Sequence, residues 1–173
     1  NLCVETIDLL QMHCPPTEVY SHYLTYEMLD NLVKKGKIQH YGFSVQTVEE
    51  AMACIQRPHT KSVQIIFNML RLKPAEEFFK MAKEKNIAII VRVPLASGLL
   101  TGKMNTNSSF PENDHRNYNI KGDAFDVGET FSGVDFGKAL EVVEELKSLT
   151  PEGFSLSQLA LKWILMHDEV SVV

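Results

Sequence analysis

The feature that most constrains this chain is a repeated strand–helix rhythm. Strand-like segments begin at positions 6, 38, 62 and 87, a period of about 25–30 residues that fits the βαβ unit with right-handed crossovers. Five segments read as strands: 6–12 (TIDLLQM), 38–43 (IQHYGF), 62–68 (SVQIIFN), 87–93 (IAIIVRV) and 170–173 (VSVV). Their apolar residues run nearly unbroken, as expected for parallel strands covered on both faces. Helical patterns lie between them. Residues 26–35 place Met28, Leu29, Leu32 and Val33 on one face, and Thr47 with Glu50 reads as a capping box. Pro74 is expected to open a helix that buries Phe78, Phe79 and Ala82 and stops at Asn86. Residues 135–149 form an amphipathic helix. Ser155 with Gln158 caps a last helix that is apolar nearly all round and so is expected to be well buried. Two architectures share this rhythm, the closed (β/α)8 barrel and the open doubly wound sheet. Five strands suffice for the open sheet and fall short of the barrel, whose usual minimum is about 200 residues.

The chain has 173 residues, 45% hydrophobic and 23% charged, with a formal charge of −5. That balance suits one globular domain and gives no basic face for nucleic acid or an anionic membrane. The basic cluster Lys34-Lys35-Gly36-Lys37 sits at an expected helix end, where positive charge is favourable. Three cysteines, Cys3, Cys14 and Cys54, have no Cys-x-x-Cys spacing. A metal site and a disulfide framework are therefore not expected, and a reducing, cytoplasmic compartment is. No stretch reads as a signal peptide or a membrane span. Residues 104–134 break the rhythm. They are rich in turn formers yet carry Phe110, Tyr118, Phe125 and Phe131, a composition better suited to an ordered lid or binding loop than to a disordered insertion.

The stretch 92–103 (RVPLASGLLTGK) follows the fourth strand. It is not a P-loop, because Gly98 and Gly102 are one residue too close and Met104 stands where a hydroxyl would hold Mg²⁺. No G-x-G-x-x-G occurs either. What remains is a glycine-rich turn at the carboxyl end of a strand, the rim where parallel α/β proteins bind ligands. Gly98 permits close backbone approach and Lys103 adds positive charge, which suits a pyrophosphate.

Four motifs in register carry a resemblance. VPLASGLLTGK resembles the seventh-strand signature of the aldo-keto reductases, IDLLQMHCP (7–15) their fourth strand, GKIQHYGFS (36–44) their fifth and SVQIIFNML (62–70) their sixth. The final VSVV resembles the start of strand eight, and 114–133 resembles a bacterial-type branch of the family. The resemblance implies an incomplete (β/α)8 barrel, about strands 4 to 8, forming one truncated domain over 1–173 with the loop 104–134 over the cofactor site. It implies NADPH, with NADH as an option, and reduction of a small aldehyde or ketone by hydride transfer.

Residue by residue, the resemblance makes His13 the catalytic histidine that orients the carbonyl. Ser44 and Gln64 would bind the nicotinamide carboxamide, with Val45 standing where the family usually has Asn. Arg92 takes a position where many members stack an aromatic ring on the nicotinamide. Its guanidinium would stack there, or it would form a structural ion pair. Pro94, Leu95, Ser97, Gly98 and Lys103 match the pyrophosphate loop. The family's tyrosine, lysine and aspartate come from strands before the first of these motifs. The chain is therefore expected to be a fragment, inactive alone, that needs the missing N-terminal part of the barrel. The alternative reading is a non-catalytic nicotinamide-binding or interaction module of the same fold.

Overall fold

The computed structural model describes residues 2–173. It contains β1 (Ile7–His13), β2 (Ile38–Ser44), β3 (Thr60–Ile66), β4 (Ala88–Arg92) and β5 (Val170–Val172). The helices are α1 (Tyr23–Lys34), α2 (Val48–Cys54), α3 (Phe78–Glu84), α4 (His115–Tyr118), α5 (Phe136–Ser148) and α6 (Leu156–Leu165). The strands form one sheet in the order β1-β2-β3-β4-β5, with β1, β2 and β3 parallel. A doubly wound sheet requires a reversal of strand order. This order has none. Right-handed crossovers that always step the same way put the connecting helices on one face, which is the winding of a barrel wall.

Local chemistry sets most boundaries. Thr47 accepts from the Glu50 amide while the Glu50 carboxylate accepts from the Thr47 amide, a complete capping box opening α2. Ser155 and Gln158 do the same for α6, and the Asp135 side chain accepts from the Lys138 amide at the start of α5. Asn86 adopts φ +54° just beyond α3, a left-handed stop that Asn tolerates better than most residues.

Three expectations change. Pro74 lies in a separate 3-10 turn, Lys73–Ala75, and α3 begins only at Phe78. The last helix buries one stripe, Leu156, Ala160 and Ile164, and leaves Leu165 and Met166 exposed. Nor are all strand faces covered. Tyr41, Phe43, Val63 and Ile65 are buried, but Leu9 and His40, neighbours in register on the opposite face, are exposed. One face of the first two strands thus carries the packing, and the other presents side chains.

The chain divides into two compact units. The first holds residues up to Ile65, Lys73–Ile90 and Glu169–Ser171. Its core includes an aromatic group, Tyr20, Tyr26, Tyr41 and Phe43, with ring centroids 5.3–6.5 Å apart. Such edge-on and tilted pairs add to the area they bury. The Tyr26 hydroxyl donates to the Tyr20 carbonyl at 2.6 Å and the Tyr20 hydroxyl to the Ser44 carbonyl at 2.8 Å. The second unit holds Ile66–Leu72, Val91–Asp168 and Val172–Val173. Its core gathers Leu99, Leu100, Phe131, Leu140, Val143 and Leu156.

The long loop belongs to that second core. Phe110 packs against Phe131 and Phe136. The fully buried Asn119 accepts from the amides of Ala124 and Phe125 at 3.0 Å and donates to Thr130 Oγ1 at 3.1 Å. These contacts order the segment from within. Among the described residues, no helix is long and apolar enough to cross a membrane.

Burial pushes the Cys54 thiol up to about 12. It raises Tyr26 and Tyr41 as well, Tyr41 with help from the Asp30 carboxylate that accepts its hydroxyl proton. A raised acid pKa means that the folded state resists losing the proton. The contribution is intact below the unfolded values, about 8.5 for Cys and 10 for Tyr, and is lost as pH rises beyond them. Stability is therefore expected to decline on the alkaline side. Iodoacetamide at mildly alkaline pH should label exposed Cys3 and spare Cys54 in the native protein, as peptide mapping would report.

Candidate active site

A bulge aims the first group of candidate residues. Tyr41 pairs with Thr60, yet the next residue, Gly42, pairs with Ser62, so β3 carries one extra residue at Lys61. Side chains alternate across a strand, and a one-residue slip changes which face they share. Without the bulge Ser44 would pair with Val63. With it, Ser44 pairs with Gln64, and His13 of β1 pairs with Ser44. His13, Ser44 and Gln64 therefore stand on one rung of one face at the carboxyl ends of three neighbouring strands, about 4.8 Å from strand to strand. One rung earlier lie Gln11, Gly42 and Ser62.

The rung is tied together. Ser44 Oγ donates to Gln64 Oε1 at 3.0 Å and accepts from the Cys14 thiol at 3.4 Å. The Cys14 amide donates to the Ser44 carbonyl at 3.2 Å, and the Val45 amide to the Gln64 carbonyl at 2.9 Å. Cys14 has φ +42°. The chain turns sharply after His13 and leaves that imidazole exposed at the strand tip.

The glycine-rich stretch lies in the second unit. Val93, Ala96, Ser97 and Gly98 all have positive φ, from +49° to +99°. Runs of unusual backbone of this kind turn amides towards a common point and make anion-binding concavities. Hydrogen bonds over-determine the strained turn. Asn68 Nδ2 donates to the Val93 carbonyl at 2.9 Å, Ser97 Oγ donates to the Glu129 carbonyl at 2.8 Å, and the Phe131 amide donates to Ser97 Oγ at 3.1 Å. The turn walls an open cleft of about 430 Å³, within the usual size of ligand pockets. Pro94, Leu95, Ser97 and Gly98 form one side, and His115, Phe125 and Glu129 contribute from the loop.

Two expectations need restating here. Lys103 follows the left-handed Gly102 (φ +70°), is exposed, and lies outside this cleft wall. The cation beside the turn is Arg116, whose NH1 lies 3.8 Å from where a Cβ on Gly98 would sit. Asp114 holds the Arg116 guanidinium by two hydrogen bonds, 3.0 and 2.7 Å, and accepts from the Arg116 amide at 2.9 Å, and the guanidinium lies 4.4 Å over the Phe110 ring. Arg116 in turn draws the Asp114 carboxyl down to about 2. Arg92, for which stacking and ion pairing were both open, donates to the Glu129 carboxylate. Both side chains are mostly buried, where such a pair gains more than at the surface. A double-mutant cycle with Arg92→Met and Glu129→Gln, followed by urea unfolding, should give a coupling of about 1–2 kcal/mol. Glu129, Arg116, Asn68 and Cys14 were not singled out from sequence. Glu129, Asn68 and Cys14 meet partners 25 to 37 positions away, and Arg116, though clamped by the nearby N-cap Asp114, comes beside Gly98 only in the folded chain.

The aldo/keto reductase family model matches residues 1–173, and the chain belongs to that family. It is 31% identical over 169 residues to the aldo-keto reductase YhdN of Bacillus subtilis, covering 95% of this chain and 47% of that protein. It is 30% identical to the aldo-keto reductase str7 of Strobilurus tenacellus, covering all of this chain and 50% of that protein. Among solved structures, the glycerol dehydrogenase AKR11B4 of Gluconobacter oxydans superposes with a TM-score of 0.76 at 28% identity, over 99% of this chain and 50% of that one. The chain spans about half the length of these relatives.

Proposed function

We propose that this chain is the part of an NADPH-dependent aldehyde or ketone reductase that holds the nicotinamide cofactor and orients the carbonyl. The observation that carries the reading is the rung of His13, Ser44 and Gln64 at three adjacent strand tips. The residues suit the group. Gln64 is partly buried and its Nε2 has no protein partner among the described residues, and in the strained turn at Val93–Gly98 the Ala96 and Gly98 amides close the turn on the Val93 and Leu95 carbonyls at 3.1 and 3.0 Å, while Leu95 and Ser97 carry their amides beside the cleft. Ser44 and Gln64 would hold the carboxamide. Pro94, Leu95, Ser97 and Gly98 would hold the pyrophosphate, with Arg116 beside them and Lys103 supplying charge from further out. When bound, the cofactor supplies the hydride. His13 donates a ring N–H towards the carbonyl oxygen and stabilises the charge that builds there.

The acid that completes the alcohol is not found among the buried tyrosines. The Tyr20, Tyr26 and Tyr41 hydroxyls each donate to a protein oxygen. We assign that proton donor, and the lysine and aspartate that tune it in the family, to polypeptide outside these 173 residues. The five strands then correspond to strands 4 to 8 of the barrel. The test is NADPH and NADH titration by fluorescence, with turnover of nitrobenzaldehyde followed by loss of reduced-nicotinamide absorbance. The intact protein is expected to bind and turn over, and residues 1–173 alone to show little or no turnover. No binding of either cofactor by the intact protein would overturn the reading. Robust turnover by the 173 residues alone would overturn the assignment of the acid.

A further inference from the structure

We propose that a groove along α1, at the amino ends of β2 and β3, is a second small-molecule site that takes an aromatic phosphate, with the ring among Tyr23, Tyr26 and Arg57 and the phosphate between Lys34 and Lys61. The site does not rest on the nicotinamide reading. Gln39 and His40 line it from the start of β2, and Ser44 stands at the end of that strand. About 15 Å of extended chain therefore separates the groove from the rung.

Two adjoining cavities make the groove. The first, about 310 Å³, is walled by Tyr23, Tyr26, Tyr41, Arg57 and Pro58. The second, about 260 Å³, is lined by Val33, Gln39, His40, His59 and Lys61. Asp30 and Lys34 belong to both, so the cavities meet there. The first alone reaches the size of an ordinary ligand pocket.

Charge singles the groove out. The chain carries a net charge of −5, yet Lys34, Arg57 and Lys61 line this one groove. Lys34 and Lys61 have no hydrogen-bond or ion-pair partner among the described residues. Arg57 donates to the Ser21 carbonyl at 3.1 Å and meets no carboxylate among the described residues. By contrast, Lys73, Arg92, Arg116 and Lys147 each pair with an acid. Like charges left together repel and do not stabilise a fold; an anion between them would. The nearby acids are already engaged or stand apart. Asp30 Oδ1 accepts from the Tyr41 hydroxyl and from His59 Nδ1, both at 2.9 Å. Asp8 accepts from Gln39 Nε2 at 3.0 Å. Glu27 lines only the first cavity, and its charge directs an anion to the second.

The first cavity suits a ring. The Arg57 guanidinium lies 4.8 Å over the Tyr26 ring, which holds one of its faces. A planar ligand can stack on the other. Tyr23, 66% exposed, adds an aromatic surface that the core does not use.

Calorimetric titration of the intact protein, with NADP⁺ present to fill the cleft at the glycine-rich turn, compares phenyl phosphate, inorganic phosphate and phenol. Phenyl phosphate is expected to bind once per chain, roughly two- to tenfold tighter than inorganic phosphate, the range of one aromatic contact, with phenol weaker than phenyl phosphate. Lys34→Gln and Lys61→Gln should each weaken both phosphates about two- to fivefold, as one exposed charge pair allows, and leave phenol unchanged. Tyr23→Ala should weaken phenyl phosphate and phenol and leave inorganic phosphate unchanged. All three side chains are exposed, so urea unfolding should match wild type. If phenyl phosphate does not saturate, or binds no tighter than inorganic phosphate or phenol, the proposal falls. If it binds and all three variants keep the wild-type affinity, the ligand lies elsewhere and the proposal falls as well. If NADP⁺ itself does not bind, the function reading falls and the three variants still decide the groove.

Discussion

Exchange of His13 for alanine in the intact protein is expected to lower kcat for aldehyde reduction by about 10²–10³-fold, the usual cost of removing one donor from a developing oxyanion. NADPH affinity should stay unchanged. The reason lies in where β1 stops. Its last residue, His13, pairs with Ser44, and the left-handed Cys14 carries the chain away at once. The imidazole is left exposed beside the Ser44–Gln64 pair, which suits the proposed role of donor to a substrate oxygen. Negative charge on that oxygen is greatest in the transition state, so the loss should appear in kcat and kcat/KM together, with KM for the aldehyde little altered. His13→Gln, which retains an N–H donor, should recover part of the rate. Steady-state kinetics with saturating NADPH decides the matter. A raised KM at unchanged kcat would make His13 a substrate-binding residue, not a stabiliser of developing charge.

The parts of this molecule that could be read from sequence are those whose causes are local. Thr47 with Glu50 and Ser155 with Gln158 cap helices because the partners sit three residues apart. Asn86 stops a chain segment by its own backbone preference. Strand starts fell within two residues of β1 through β5 because apolar runs bounded by turns say where a strand is. They do not say which residues oppose one another. The rung of His13, Ser44 and Gln64 depends on a bulge at Lys61, and nothing in SVQIIFN announces an extra residue just before it.

Charge partners were the least legible. Arg92 in an apolar strand signalled that a partner was needed. Glu129, thirty-seven positions on, was one of many acids that could have served. Lys103 suggests a phosphate cation because it follows the glycines, and it lies exposed, outside the residues that line the cleft. Arg116 comes beside Gly98 through its own clamp on Asp114. The exposed end of α6 follows the same logic. A helix apolar all round can bury only the stripe that meets a neighbour.

Gly42 stands at the bulge, and Gly42→Ala is expected to destabilise the protein by about 3 kcal/mol, at the upper end for overpacking. A Cβ there would lie 2.0 Å from Ser62 Oγ, 2.5 Å from the Ser62 carbonyl oxygen and 2.7 Å from Gln11 Oε1. The hydroxyl could rotate away, but the carbonyl belongs to the strand and cannot. Ser62 also donates to Gln11 Oε1 at 2.9 Å, and Gln11 Nε2 is already buried without a partner among the described residues. Disturbing that pair would strand a second polar group. The damage should not stay on this rung. Two residues further along the same three strands stand His13, Ser44 and Gln64, held in register by the bulge that Gly42 permits. Cofactor affinity should therefore fall with stability. Gly137→Ala is the control. Its Cβ would meet only Asp135 Oδ1, at 3.4 Å, in the first turn of α5, so a gain of about 0.5 kcal/mol is expected from the stiffer unfolded chain. Urea unfolding of both variants separates the cases. A Gly42→Ala protein as stable as wild type would mean that β2 and β3 can pair without the bulge, and the pairing of Ser44 with Gln64 would then have lost its structural cause.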